Sequence, residues 1–284
     1  MKPENGRTEP NVTNLPVTYL FVPGNRPDRF DKALASHADA IIVDLEDAVA
    51  PNDKAAARSS FASWFASWCH TANHAPGRVL LRINGESTPW FEADIALAAE
   101  TGIGGVMLPK AETATQIERV ASALPATGFV IPLVETAKGI VDVDALASAT
   151  RVQRIAFGTL DYALDLDLSG DDRGFLYPAC RMALASRAAG IASPIAGVTP
   201  ELDDPAKLLA DLGSARACGF GAKLCIHPKQ VDAIRAALRP SDAEIAWAKR
   251  VAAAAESSPG AVQVDGRMVD RPVIAKALRI LGRA

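Results

Sequence analysis

Short apolar runs in this 284-residue sequence repeatedly end in residue types that do acid–base or metal chemistry. The run before residue 23 ends in Pro23-Gly24-Asn25-Arg26, and the next in Asp44-Leu45-Glu46-Asp47. Later runs end in Arg82-Ile83-Asn84, Pro109-Lys110, Glu135-Thr136, Gly158-Thr159-Leu160-Asp161 and His227-Pro228. Charges beside an apolar core are costly unless they pair or bind a metal. Glu135 and Asp161 are one strand–helix unit apart, which sets them side by side if the runs are neighbouring parallel strands. Two carboxylates with open positions suit Mg²⁺, which takes one or two carboxylates, keeps waters and accepts substrate oxygens. Zinc is disfavoured, because Cys69, Cys180, Cys218 and Cys225 form no Cys-x-x-Cys pair and His is scarce.

Several of these residues also have a plainer job available. Asp47 reads as the charge that opens a helix, and Asp161 as a cap for the next one. Arg82 suits a structural ion pair, Lys110 a partner for an acid, and His227 a satisfied structural histidine. Glu135, directly after the apolar run 129–134, has no evident structural job. Gly102-Ile103-Gly104-Gly105 precedes a strand and therefore reads as a tight turn, with no dinucleotide fingerprint.

The elements that must carry these residues follow from the pattern. Strands are expected at 19–22, 40–44, 78–83, 105–108, 129–134, 154–157, 194–198 and 221–226. Most lack alternation, as parallel strands buried on both faces should. Helical patterns fill the gaps. Ile117, Val120 and Leu124 share one face, as do Leu208, Leu212 and Ala215. Asp204 and Pro205 mark a helix start and Gly219 its end. Ser241 and Glu244 form a capping box for a helix to about residue 256. A turn at Val264-Asp265-Gly266 and a helix from Pro272 follow. This predicts an α/β fold, a (β/α)₈ TIM barrel over 17–230, with chemistry at the C-terminal strand ends. A flexible tail over 1–16 precedes it, and a C-terminal helical extension or lid over 231–284 follows.

Composition sets limits on function. The chain is 49% hydrophobic, enough for a core, and its net charge of −3 offers no basic stripe for nucleic acid. No apolar stretch of membrane-spanning length occurs, and residues 1–16 have no secretory signal pattern. Cys180, Cys218 and Cys225 lie among apolar neighbours and are expected as buried, reduced thiols of a cytoplasmic enzyme.

The segments at 19–24, 43–48, 81–84, 108–110, 134–139, 157–162, 226–228 and 265–270, in that order, resemble the citrate lyase β-subunit-like group of the HpcH/HpaI aldolase superfamily. The likeness runs from about residue 18 to 281. It implies a Mg²⁺-dependent carbon–carbon lyase for β-hydroxyacyl thioesters of the malyl-, citramalyl- or citryl-CoA type, assembled as a trimer or hexamer. Thioester hydrolysis occurs in some members. It also implies roles for residues: Glu135 and Asp161 as metal ligands, and Arg82 as the arginine that holds substrate and steadies negative charge. Glu46 and Asp47 become catalytic acids lining the pocket, and Asp270 a catalytic lid acid that reaches a neighbouring subunit's site and moves the substrate's hydroxyl proton there. Glu135, Asn84, Pro23, Gly24 and Lys110 complete the expected substrate-binding set. Two positions depart from the family pattern: Val17-Thr18 replaces an Arg-Ser pair, and Leu160 replaces a Glu. Alternatives therefore stand beside the lyase. They are a metal-dependent aldolase or thioesterase on a related keto or hydroxy acid, a lyase subunit requiring an acyl-carrier protein, and a metabolite-binding protein without turnover.

Overall fold

In the computed structural model, which describes residues 15–70, 75, 77–257 and 262–282, eight parallel strands close a barrel. They are β1 (Thr18–Pro23), β2 (Ala40–Asp44), β3 (Val79–Arg82), β4 (Gly105–Leu108), β5 (Phe129–Val134), β6 (Ala156–Phe157), β7 (Ile195–Ala196) and β8 (Ala222–Cys225). Each pairs with the next in sequence, and β8 returns to β1 through Tyr19 opposite Leu224. This is the predicted (β/α)₈ barrel, with further helices at the C-terminus.

Tyr19, Ile42, Leu80, Met107, Leu133 and Leu224 belong to one buried apolar cluster formed by the strands. Side chains alternate along a strand. Two residues beyond Ile42, Leu80 and Leu133, on the same side, come Asp44, Arg82 and Glu135. The chemical residues thus continue the cluster's rows at the C-terminal ends of the strands. The expected β6 and β7 shrink to two residues each. Glycine follows both, and a methyl group on Gly197 would lie 2.4 Å from Thr159 Oγ1. β6 ends where expected but starts two residues late, whereas β7 also ends early, at the glycine that lets Thr159 come close.

The helices obey their end signals. Asp204 Oδ1 accepts from the Lys207 N–H at 2.9 Å, and the helix Pro205–Ala217 buries Leu208 and Leu212, with Ala215 half-buried. Gly219 follows its end at φ +103°. Ile117 and Val120 are buried under the helix Ala114–Ala123, which Thr113 and Gln116 cap reciprocally. Ser241 and Glu244 do the same for the helix Asp242–Ser257.

The chain divides into two compact units, Pro16–Ile234 and Arg235–Ala284. The second has its own small core of Ala248, Val251, Val269 and Ala277. Within it, Val262–Val264 and Arg267–Val269 form an antiparallel hairpin closed by Asp265 and Gly266, both at positive φ as a two-residue turn requires. The helix Arg271–Leu281 follows. Among the described residues, no helix is long and apolar enough to cross a membrane.

Some expectations change. Cys180 is exposed and Cys218 half-buried, and only Cys225 is fully buried. Apolar neighbours in sequence did not make apolar neighbours in space, since Cys180 lies on the outward face of the helix Leu176–Ala189. Asp47 opens no helix: it lies in a turn, and the helix Lys54–Trp68 begins only after a 3₁₀ turn at Pro51–Asp53. Of the tail over 1–16, all but Leu15 and Pro16 lies outside the described residues.

Candidate active site

Arg82, the last residue of β3, anchors the open end of the barrel. Its Nε and Nη2 donate to the two carboxylate oxygens of Asp44 at 2.7 and 2.6 Å, a bidentate pair across the β2–β3 register. Asp44 also accepts from the main-chain N–H of Glu46 and Ala48, so it is saturated. The Arg82 guanidinium lies 4.7 Å from the Phe21 ring centroid. Its Nη1 stands 2.9 Å from Glu46 Oε2 and 3.6 Å from Asp47. Glu46 Oε2 nonetheless has no directed hydrogen bond, because the contact lies off the N–H line. Burial works against the Arg82 charge, but Asp44, Glu46 and Asp47 outweigh it and push its pKa above the usual value. The guanidinium is therefore fixed and permanently charged, with Nη1 hydrogens not directed at Asp44.

Glu135 follows β5 and is 2% exposed. Its Oε1 accepts the main-chain N–H of Lys110 at 2.8 Å. Lys110 reaches that position at φ +48°, a left-handed conformation uncommon for a residue with a side chain. Its Nζ stands 3.4 Å from Glu46, so it pairs with an acid as one reading of the sequence allowed. The other face of Glu135 needs Gly158. A methyl group there would lie 2.3 Å from Oε2 and 2.5 Å from Cβ of Glu135. Asp161, in the first turn of the helix Thr159–Asp165, is half-buried and close enough to raise the Glu135 pKa. Burial first, then Glu46 and Asp161, lift Glu135 to about 8, against the Lys110 N–H and Arg82. Burial also lifts Glu46 to about 7, helped by Asp47 and Asp44 and opposed by Arg82 and Lys110.

The acids Glu46, Glu135 and Asp161 thus share one field, and bases do not neutralise them all. Among the described residues no set of three or more His, Cys, Asp or Glu side chains could hold a metal. A pair of carboxylates is still a suitable donor set for a hard ion that keeps its waters. The glycine cradle at Gly158 keeps one Glu135 oxygen clear of side-chain cover. The residues present therefore fit Mg²⁺.

Other predicted residues fall beside this centre. Asn84 is buried, and both of its amide hydrogens are taken, by Leu45 O at 3.0 Å and Asp94 Oδ2 at 2.6 Å. Its Oδ1 accepts from Lys54, so it supports the rim and has no amide group left for a ligand. Gly24 is buried and donates to Asp44 O at 2.8 Å, where a side chain would strike Leu45. Pro23, half-buried, ends β1 opposite Asp44. His227 Nδ1 accepts the Lys229 N–H, the plainer role expected for it. Asp270, in the second unit, caps the helix Arg271–Leu281 by accepting from Val273 N–H at 3.2 Å.

Reading the sequence missed Gly158 as a positioning element and Lys54 altogether. Lys54 is 5% exposed and donates to Leu45 O, Glu46 O and Asn84 Oδ1 at 2.6 to 2.7 Å. A signal was present, since a lysine in the first turn of a helix opposes the helix dipole.

Comparison with known proteins follows the same outline. Residues 18–228 match the family model described as HpcH/HpaI aldolase/citrate lyase. The chain is 37% identical over 273 residues to a citrate lyase subunit beta-like protein of Mycobacterium tuberculosis, covering 94% of each chain. It is 33% identical to a (3S)-malyl-CoA thioesterase of Cereibacter sphaeroides, again over 94% of each. A crystal structure of protein CitE from Mycobacterium tuberculosis, in complex with magnesium, acetoacetate and coenzyme A, superposes with a TM-score of 0.82 at 35% identity. That match covers 96% of this chain and 99% of that one.

Proposed function

The chain belongs to the HpcH/HpaI aldolase/citrate lyase family, and on that premise we propose that it is a Mg²⁺-dependent carbon–carbon lyase for a β-hydroxyacyl-CoA of the malyl, citramalyl or citryl type. The observation that carries this reading is the buried Glu135, cradled by Gly158 and facing Asp161, beside a fixed Arg82. Magnesium and coenzyme A in the CitE complex support it.

Breaking the bond next to the hydroxyl leaves negative charge on the thioester oxygen of the departing fragment. Glu135 and Asp161 would hold Mg²⁺, which would supply Lewis-acid and templating chemistry for the substrate's oxygens. Arg82 supplies a fixed positive charge that would stabilise the developing oxyanion. Asp44 holds the guanidinium in place, so little reorganisation is needed as charge develops. Glu46, with a pKa of about 7, is suited to take and return the hydroxyl proton near neutrality. Asp47 and Lys110 adjust the field around it. In the same proposal the segment 231–284 is a lid, with Asp270 offered to a neighbouring subunit of a trimer or hexamer, in the cytoplasm.

The test is a Mg²⁺ titration together with mass spectrometry on a panel of acyl-CoA substrates. Glu135→Ala and Asp161→Ala abolish Mg²⁺ binding, while Arg82→Ala keeps the metal and loses turnover. Full activity of Asp161→Ala without bound metal would refute the site. The thioesterase relative favours a second reading in which water releases the free acid and CoA. A lyase yields a keto acid and a shorter acyl-CoA, whereas a thioesterase yields a hydroxy acid and free thiol, so the products distinguish the two.

A further inference from the structure

Lys54 is buried in an unfavourable place. It is the first residue of the helix Lys54–Trp68, where the helix dipole repels a cation. Its ammonium makes all three of its hydrogen bonds to uncharged oxygens: Leu45 O, Glu46 O and Asn84 Oδ1. Burying an ammonium in this way is costly unless every donor is satisfied. The three acceptors come from two different strand exits. Leu45 and Glu46 form the turn after β2, and Asn84 lies beyond β3. One helical turn further on, Arg58 donates to Asp94, whose other oxygen accepts from the main chain and amide of Asn84. A single helix face therefore grips Asn84 directly and through Asp94, and grips the Glu46 carbonyl itself. The stem of Lys54 brings its ammonium to 5.0 Å from the Trp90 ring centroid.

We propose that Lys54 is a positioning residue: it fixes the main chain of the Leu45–Glu46 turn and so aims the Glu46 carboxylate at Arg82 and Lys110. The inference rests on the site reading above but concerns a residue that touches neither metal nor substrate there. Without the ammonium, the Glu46 carbonyl would keep only the Val49 N–H and the Leu45 carbonyl only the Asn84 amide, and the turn would be held less tightly. Glu46 would then leave its place 2.9 Å from Arg82 and 3.4 Å from Lys110.

The experiment compares the full-length chain with Lys54→Met and Lys54→Arg, by hydrogen–deuterium exchange and by steady-state turnover. Lys54→Met keeps the stem and removes the donors. Its amides at Glu46 and Ala48, which donate to Asp44, should exchange about tenfold faster or more, the change expected from losing a charge-assisted hydrogen bond. Amides of β4 and β5 should keep their protection. Turnover per folded molecule should fall at least about tenfold with KM within about threefold, as loss of alignment predicts. Lys54→Arg keeps the charge but cannot point three donors into one cradle, so it should show the same local effect in smaller measure. If Lys54→Met fails to fold, Lys54→Arg decides alone, and wild-type exchange and turnover in it overturn the proposal. Unchanged exchange at the turn, or faster exchange spread evenly over the barrel with turnover intact, also overturns it. The exchange measurement needs no substrate, so a wild-type chain without lyase activity would end the functional reading while exchange at the turn still decides the role of Lys54.

Discussion

Arg154, buried, and Arg82, half-buried, lie near opposite ends of the barrel strands, and their partners differ in kind. Arg154, just before β6, donates to Ser193 O, Pro16 O and Tyr19 Oη, all neutral oxygens. Arg82 is set against Asp44, Glu46 and Asp47, and around it the acids Asp44, Glu46, Asp47, Glu135 and Asp161 outnumber the bases Arg82, Lys110 and Lys54. A cation matched to main-chain oxygens has its hydrogen bonding completed by the fold. A cluster with acids in excess raises the pKa of Glu46 and Glu135 above the usual carboxylate range, and on the proposed reading a divalent ion would compete there with the proton of Glu135. The first arrangement stiffens the barrel, while the second holds binding capacity that folding alone does not use.

That contrast can be broken most sharply at the two arginines. Arg82→Met should lower turnover about 10²–10³-fold, the usual cost of losing one fixed oxyanion donor. It should also lower stability by about 3–5 kcal/mol in urea unfolding, because Asp44 would be left buried without its partner. Gly158→Ala should come next. Its new methyl displaces Glu135, and a shift of that size near the reacting atoms costs about 10²-fold in rate, with weaker Mg²⁺ binding by calorimetry. A Gly158→Ala chain with wild-type Mg²⁺ affinity would show that Glu135 is not held by the cradle.

The proton arrangement gives a third test. Glu46 at about 7 and Glu135 at about 8 lie above the usual 4.5, so the folded chain binds more protons than the unfolded chain between those values. Metal-free stability should therefore fall as pH rises through that window. Mg²⁺ affinity should rise over the same range, as the ion displaces those protons, and level off above it. An affinity independent of pH from 6 to 9 would contradict the arrangement. Arg154→Met should have the smallest effect on chemistry. It leaves Ser193 O and Pro16 O unmet, at about 1–3 kcal/mol of stability, with turnover per folded molecule unchanged. Equal losses of turnover at Arg154 and Arg82 would erase the distinction between the two ends.

The barrel was legible because strands buried on both faces read as unbroken apolar runs. β2, β4 and β5 fall where the sequence predicts them, residue for residue. β6 comes out shorter at its start and β7 at both ends, because strand pairing there depends on neighbouring strands that no local pattern reports. In the site, Asp44, Glu46, Arg82, Glu135 and Asp161 were named from their positions after those runs, and Lys110 pairs with an acid as one reading allowed. Asn84 was named as a substrate contact, but its amide is satisfied by Lys54, Leu45 and Asp94. Lys54 passed unnoticed because its partners lie on two other strand exits. The thiols were misplaced for the same reason: Cys180 has apolar sequence neighbours and an exposed position.

Strand number, strand order and the side on which chemistry gathers were settled by the sequence itself, because burial leaves a pattern of residue types and chain direction puts polar ends at one rim. Which polar atoms are already satisfied and which remain able to take a ligand was decided only by the tertiary structure. Hydrogen-bond saturation depends on groups far away in sequence: Asp44 for Arg82, Lys110 for Glu135, and Lys54 for Asn84.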